Sequence, residues 1–156
     1  MARDAGPPRL HRRAVEFGLA GASTTISGST RGAVTARLGT FDKLGSNLGG
    51  AEVDVRFAHA GPVDDLDLEG LVAWASGQGP VSSFIGVGGG VRREWVAGRR
   101  ESRRPVGVNA GVRVFAGSRA ALRLEYRFRR ILDDPVAHLN EHEIVAGLSL
   151  LFRNTP

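Results

Sequence analysis

The sequence predicts an all-β fold, an eight-stranded antiparallel up-and-down meander closed into a transmembrane β-barrel. Three observations carry that expectation. Apolar and polar residues alternate with period two through eight segments of roughly ten residues or more, each joined to the next by a short connection. Glycine makes up 22 of 156 residues, about twice its usual share, which favours sheets with tight turns over helices. The polar face of the alternation also carries Gly and Ala at regular intervals, a pattern with a steric reason only if that face is inside a narrow barrel.

Residues 1–13, with Pro7, Pro8, Arg12 and Arg13, read as a disordered lead-in to a single domain over 14–153. Strands are expected at 14–26 (AVEFGLAGASTTI), 32–41 (GAVTARLGTF), 48–59 (LGGAEVDVRFAH) and 66–76 (LDLEGLVAWAS). Four more are expected at 83–96 (SFIGVGGGVRREWV), 105–116 (PVGVNAGVRVFA), 120–132 (AALRLEYRFRRIL) and 142–153 (HEIVAGLSLLFR). About nine to eleven tilted residues carry a strand across a bilayer, so these lengths suit a membrane. The connections DKLGSN, GQGPVS and GSR are short and rich in Gly, Ser and Asn, whereas AGRRESRR and DDPVAHLNE are longer and charged. One rim would carry turns and the other loops, as in outer-membrane barrels.

In AALRLEYRFRRILDD, Leu122, Leu124, Tyr126 and Phe128 face one side of an extended chain, and Arg123, Glu125, Arg127 and Arg129 face the other. Extended over all strands, the polar face holds Arg37, Arg56, Arg113, Arg123, Arg127 and Arg129 against Glu16, Glu52, Asp54, Asp67, Glu69, Glu125 and Glu143. Such near balance suits a lumen in which every buried charge is paired. Between these charges lie Gly18, Ala20, Gly39, Ala58, Ala73, Ala75, Gly107, Gly111 and Gly147, small enough to leave them room.

The opposite face, including Phe17, Leu19, Val34, Leu38, Val53, Phe57, Leu68, Val108, Leu148 and Leu150, is almost free of charge and reads as a lipid-facing band. Trp74, Trp95, Tyr126 and Phe152 are its candidate girdle members. The fifth strand is ambiguous, since its glycines fall in both phases and either Arg92 or Arg93 points outward. The alternative is a soluble lipocalin-like barrel binding a small apolar ligand, with Val53, Val55, Phe57, Leu122 and Leu124 inside.

The absence of cysteine excludes disulfides, thiolate metal sites and a cysteine nucleophile. No apolar run is long enough for a spanning helix, and the start MARDAGPPRLHRR lacks the apolar core of a signal peptide, so the leader of an exported form would be removed or omitted. The net charge of +5 comes with twenty arginines and only Lys43, but these arginines alternate with carboxylates and no nucleic-acid-binding motif organises them. No nucleic-acid partner is expected, and no cofactor or metal. GVGGG lacks the Lys-Ser/Thr of a phosphate loop. In HLNEHE, Glu141 and Glu143 share one strand face and His142 lies on the other, so they do not converge unless the loop folds back, and His59 stands alone at a strand end.

ALRLEYRFRR followed by NEHEIVAGLSLLF resembles the last two strands of small bacterial outer-membrane β-barrel proteins, and LGTFDKLGSNLGGAEVDV resembles their second hairpin. The resemblance implies residence in the bacterial outer membrane, contact with its lipid and lipopolysaccharide, and recognition of the final strand near Phe152 by the barrel-assembly machinery, although Arg153 to Pro156 follow that aromatic. It is nearest to the lipid A deacylase and acyloxyacyl hydrolase branch, whose seventh strand carries a catalytic His and, two residues on, a Ser nucleophile. Aligned on YRF, those places hold Arg130 and Leu132, which supply neither a base nor a nucleophile. The expectation is a non-enzymatic barrel with a structural or surface-interaction role. The alternative is a displaced site in which His138 or His142 recruits Ser102 or Ser118. Within the loop RREWVAGRRESRRP, Arg99, Arg100, Arg103 and Arg104 are candidates for contacting phosphorylated lipid headgroups. The sequence specifies no protein partner.

Overall fold

The computed structural model describes residues 14–26, 28–44, 47–76, 79–96, 98–117, 119–133 and 139–153. The lead-in over 1–13, Ser118 and His138 lie outside them. The described chain forms β1 (Ala14–Ile26), β2 (Ser29–Leu44), β3 (Asn47–Ala60), β4 (Val63–Ser76), β5 (Val81–Val96), β6 (Arg99–Arg103), β7 (Pro105–Phe115), β8 (Ala120–Ile131) and β9 (Asn140–Arg153). Neighbours in sequence pair antiparallel, and β1 pairs with β9 from Ala14↔Arg153 to Ile26↔Glu141, so the sheet closes on itself. The short β6 and the longer β7 both pair with β5 and are successive parts of one barrel strand, which makes the barrel eight-stranded. Their separation falls at Arg104 and Pro105, where proline supplies no N–H to the ladder. Among the described residues no helix is long and apolar enough to cross a membrane.

Two expectations change. The segment AGRRESRR is not a loop: Arg99–Arg103 pairs residue by residue with Arg92–Val96, so β5 and β6 form a hairpin that ends level with the start of β4, where Val63 pairs with Val96. The loop rim is correspondingly low, with tight turns at Gly28, Gly61 and Gly98 whose φ values of 84°, 59° and 80° suit glycine. Only the connection between β8 and β9 is longer there. The opposite rim carries the turns after β2, β4 and β7 together with the first residue of β1 and the last of β9.

The alternation resolves as charge inside and apolar outside. Leu122 and Leu124 are 58% and 53% exposed, while Arg123 and Arg127 are 4% and 1% exposed, which excludes the lipocalin-like arrangement. Steric fit explains the choice. Ala58, Ala73, Ala75, Gly18 and Gly39 occupy the inner face and leave space for long side chains from the facing wall. The fifth strand settles as Arg92 buried and Arg93 exposed. Towards the turn rim the lumen becomes apolar, with Leu48, Ala75 and Phe84 in one cluster and Phe115, Ala121 and Leu151 in another.

Candidate functional site

The inward side chains stack in layers along the barrel. Nearest the apolar floor, Arg113 donates to Glu52 at 2.7 Å and lies 3.2 Å from Glu16, while Arg123 donates to both Glu52 oxygens at 2.9 and 3.0 Å. The guanidinium of Arg113 also sits 4.4 Å from the Phe41 ring centre and 4.5 Å from that of Phe84, and Arg123 lies 4.1 Å from Phe84. Ring faces thus cap the charged layer where the carboxylates run out. Ser149 donates to Glu16 at 2.5 Å across the β1–β9 seam.

The next layer centres on Glu125, which accepts from Arg37 at 3.1 Å, Arg123 at 2.9 Å, Arg127 at 2.7 Å and Asn109 at 2.6 Å. Arg37 grips Asp54 through two bonds of 2.8 Å, a fork geometry that fixes both groups. Arg127 reaches Asp54 as well and lies 3.4 Å from Glu69. Above it, Arg56 donates to Glu143 at 2.7 Å, to Asp67 at 3.0 Å and to the Thr24 hydroxyl at 2.7 Å. Arg129 binds Glu69 and Glu143. Arg92 closes the network near the loop rim, donating to both Asp67 oxygens at 2.7 and 2.8 Å and to Glu141 at 2.7 Å, beside an Arg31–Asp65 pair.

These bridges do not stay between neighbouring strands. β8 stands across the barrel from β3, and Arg123 and Arg127 on β8 span the lumen to Glu52 and Asp54. Partners on the same or a neighbouring strand are engaged too, Glu125 by Arg123 and Glu143 by Arg129, and Glu16 lies 3.6 Å from Arg123. Two cavities lined partly by these side chains are only about 10 Å³ each, room for a single water at most. All thirteen charged residues expected on the lumen face, Glu143 among them, are buried at 4% exposure or less.

Sequence reasoning missed Arg31, Asp65, Arg92 and Glu141 as network members, along with Thr24, Asn109 and Ser149. Arg31, Asp65 and Glu141 each fall one position before an expected strand start, and the signal that would have found them is the same alternation running on in phase.

On the outside, Trp74 and Phe152 lie towards the turn rim, while Trp95 stands near the loop rim. Tyr126 shares a 2.6 Å hydrogen bond with His142, whose ring is 5.2 Å from that of Phe128. Glu141 and Glu143 point inward away from that His, and among the described residues no group of His, Asp and Glu could hold a metal. Arg130 and Leu132 are exposed. The four loop arginines divide by strand phase. Arg99 and Arg103 sit on the mouth side of the β5–β6 hairpin with Glu94 and Glu101, where Arg103 bonds Glu94 at 2.8 Å and Glu101 at 2.9 Å. Arg100 and Arg104 face outward.

A charged lumen inside an apolar wall is the inverse of a water-soluble barrel, and the fold that carries it is found among solved structures. Neisserial surface protein A superposes with a TM-score of 0.64 over 90% of this chain and 97% of its own, at 17% identity. The chain has the fold of the small outer-membrane barrels. The N-terminal β-barrel domain of Pseudomonas aeruginosa OprF matches with a TM-score of 0.62 at 10% identity, over 92% of this chain and 100% of that domain. The outer membrane enzyme PagL matches at 0.54 and 12% identity, over 85% and 97%. No family model and no curated protein matches the sequence. An outer-membrane barrel fold is therefore shared with proteins that include an enzyme.

Proposed function

We propose that this protein is an integral barrel of a bacterial outer membrane that serves as a closed scaffold presenting its walls and rim, and that it neither conducts nor hydrolyses. The observation that carries the reading is the set of arginine bridges spanning the lumen from β8 to β3, because a path for solute would have to break several desolvated ion pairs at once. Eight strands enclose an interior just wide enough for side chains. The likeness to outer-membrane barrels supports the location.

The absence of hydrolysis rests on residue chemistry. At the places where the deacylase branch carries its His and Ser, this chain has Arg130 and Leu132. Arginine remains protonated and leucine has no nucleophile. His142, the nearest described alternative, is occupied by the Tyr126 hydroxyl.

Reconstitution into planar bilayers tests the scaffold. The expected result is no stepwise conductance, and stable open levels would overturn it. Incubation with lipopolysaccharide should release no fatty acid. Release that disappears in a His142→Ala variant would establish the displaced site instead.

A further inference from the structure

The exposed arginines gather on one side of the outer wall. β5 turns Arg93 and Trp95 outward, and the β6 pairing sets Arg100 opposite Trp95 and Ser102 opposite Arg93. The same strand line continues through Arg104, which is 74% exposed with Asp133 at 3.4 Å, to Val106, whose partner on β8 is Arg130. Four arginines from three adjacent strand lines therefore share one face. Among the described residues no acidic partner stands against Arg93, Arg100 or Arg130, in contrast to the arginines of the lumen. Beside and beneath them the wall is apolar, with Leu66 opposite Arg93, Val106 opposite Arg130, and Val91 and Val108 next towards the turn rim. The far side of the barrel lacks this charge at its loop end, where β1 and β2 present Thr25 and Thr30. On the near flank Asp64, the β4 partner of Trp95, is engaged by His59 at 2.7 Å.

We propose that this face binds the phosphate groups of an acylated glycolipid of the outer leaflet, the chemistry of lipid A, and the inference rests on the outer-membrane reading above. Guanidinium forks match phosphate geometry, and an indole at the interface keeps its ring in the headgroup layer with its N–H in reach of water. The apolar wall below gives the acyl chains a surface continuous with the rest of the band. A lateral position is what selects a lipid over a soluble polyanion, because the charge lies on the bilayer-facing wall. The mouth-facing side of the hairpin, which a polymer would meet, mixes Arg99 and Arg103 with Glu94 and Glu101. The loop rim is the outward rim in this reading, since it carries the longest connection and the turn rim carries both strand ends of the seam.

The test uses folded protein in nanodiscs of zwitterionic phospholipid doped with bisphosphorylated lipid A, with retention of that lipid read by native mass spectrometry. An arginine near anionic headgroups is worth about a fivefold gain, so the variant Arg93→Gln/Arg100→Gln/Arg130→Gln should lose roughly 100-fold in affinity for the lipid. The control Arg99→Gln/Arg119→Gln, altering exposed arginines on the mouth side and the turn rim, should retain the lipid. Lipid A stripped of its phosphates should bind the native protein as weakly as intact lipid A binds the triple variant, and free inorganic phosphate should not displace the lipid. Equal retention by the triple variant, or equal binding of the stripped lipid, would overturn the proposal. So would binding of a soluble sulfated polysaccharide that is lost in the triple variant while lipid retention is unchanged. Heat-modifiable gel mobility verifies that each variant is folded. Failure of the outer-membrane reading would show separately, as a native protein that does not insert into the nanodisc.

Discussion

Arg92 and Arg93 are neighbours with the same side chain and opposite fates. Arg92 donates to Asp67 and Glu141 within the lumen, whereas Arg93 stands on the outer wall. Removing one partner of a buried ion pair leaves the other charge desolvated and uncompensated, which costs about 3 to 5 kcal/mol. Arg92→Ala and Arg127→Ala should therefore lower unfolding stability in detergent by about that much, and Arg93→Ala should stay within roughly 0.5 kcal/mol of the native protein. Urea titration of the three variants decides it. An unchanged Arg127→Ala would mean that water already reaches the lumen. Replacing a complete charge cluster by well-packed apolar residues is often neutral or stabilising, so the network argues for a unique, filled interior more than for high stability.

At the scale of strands, alternation made the fold and the inner face readable. A period of two assigns all thirteen charged lumen candidates to one side, because a one-residue slip would place Phe57 or Leu124 among the charges. What was not readable followed from the same rule. Gly88, Gly89 and Gly90 erase the phase in β5, so Arg92 could not be placed from sequence. RRESR reads as a charged loop in sequence, and its alternation, once paired, splits Arg99 and Arg103 from Arg100 and Arg104. The glycines themselves are not equivalent. A Cβ at Gly147 would lie 2.5 Å from the Cβ of Ala20 and closer still to the Leu19 carbonyl oxygen, whereas one at Gly70 meets nothing within 4 Å. Gly147→Val should strongly reduce the yield of folded barrel and Gly70→Val should not, measured as the heat-modifiable fraction after refolding. Equal yields would show that the seam can spread to admit the side chain.

For the whole molecule, the outer wall rather than the lumen decides which solvent the fold belongs in. Leu148 is 49% exposed and pairs with Leu19 on β1 and Leu122 on β8, all three on the outer face. A charge near the bilayer midplane on the lipid face of such a barrel costs about 2 to 4 kcal/mol. Leu148→Arg should cost that amount in lipid vesicles, and a neutral effect there would argue that this face does not meet acyl chains.

The seam between β1 and β9 carries a consequence in time as well as in space. Thr24 and Glu143, joined across it, are 119 positions apart in the chain, so the barrel cannot shut until its last strand has been made. Contacts of such long sequence separation are reached slowly, because a large loop must be ordered before any of its bonds form. Until then β1 and the growing strand each present an open edge of unpaired N–H and C=O groups, beside a row of half-paired charges and a wall of Leu, Val and Phe. The unclosed chain is thus the aggregation-prone species, and the speed with which β9 finds β1 sets how long that hazard lasts.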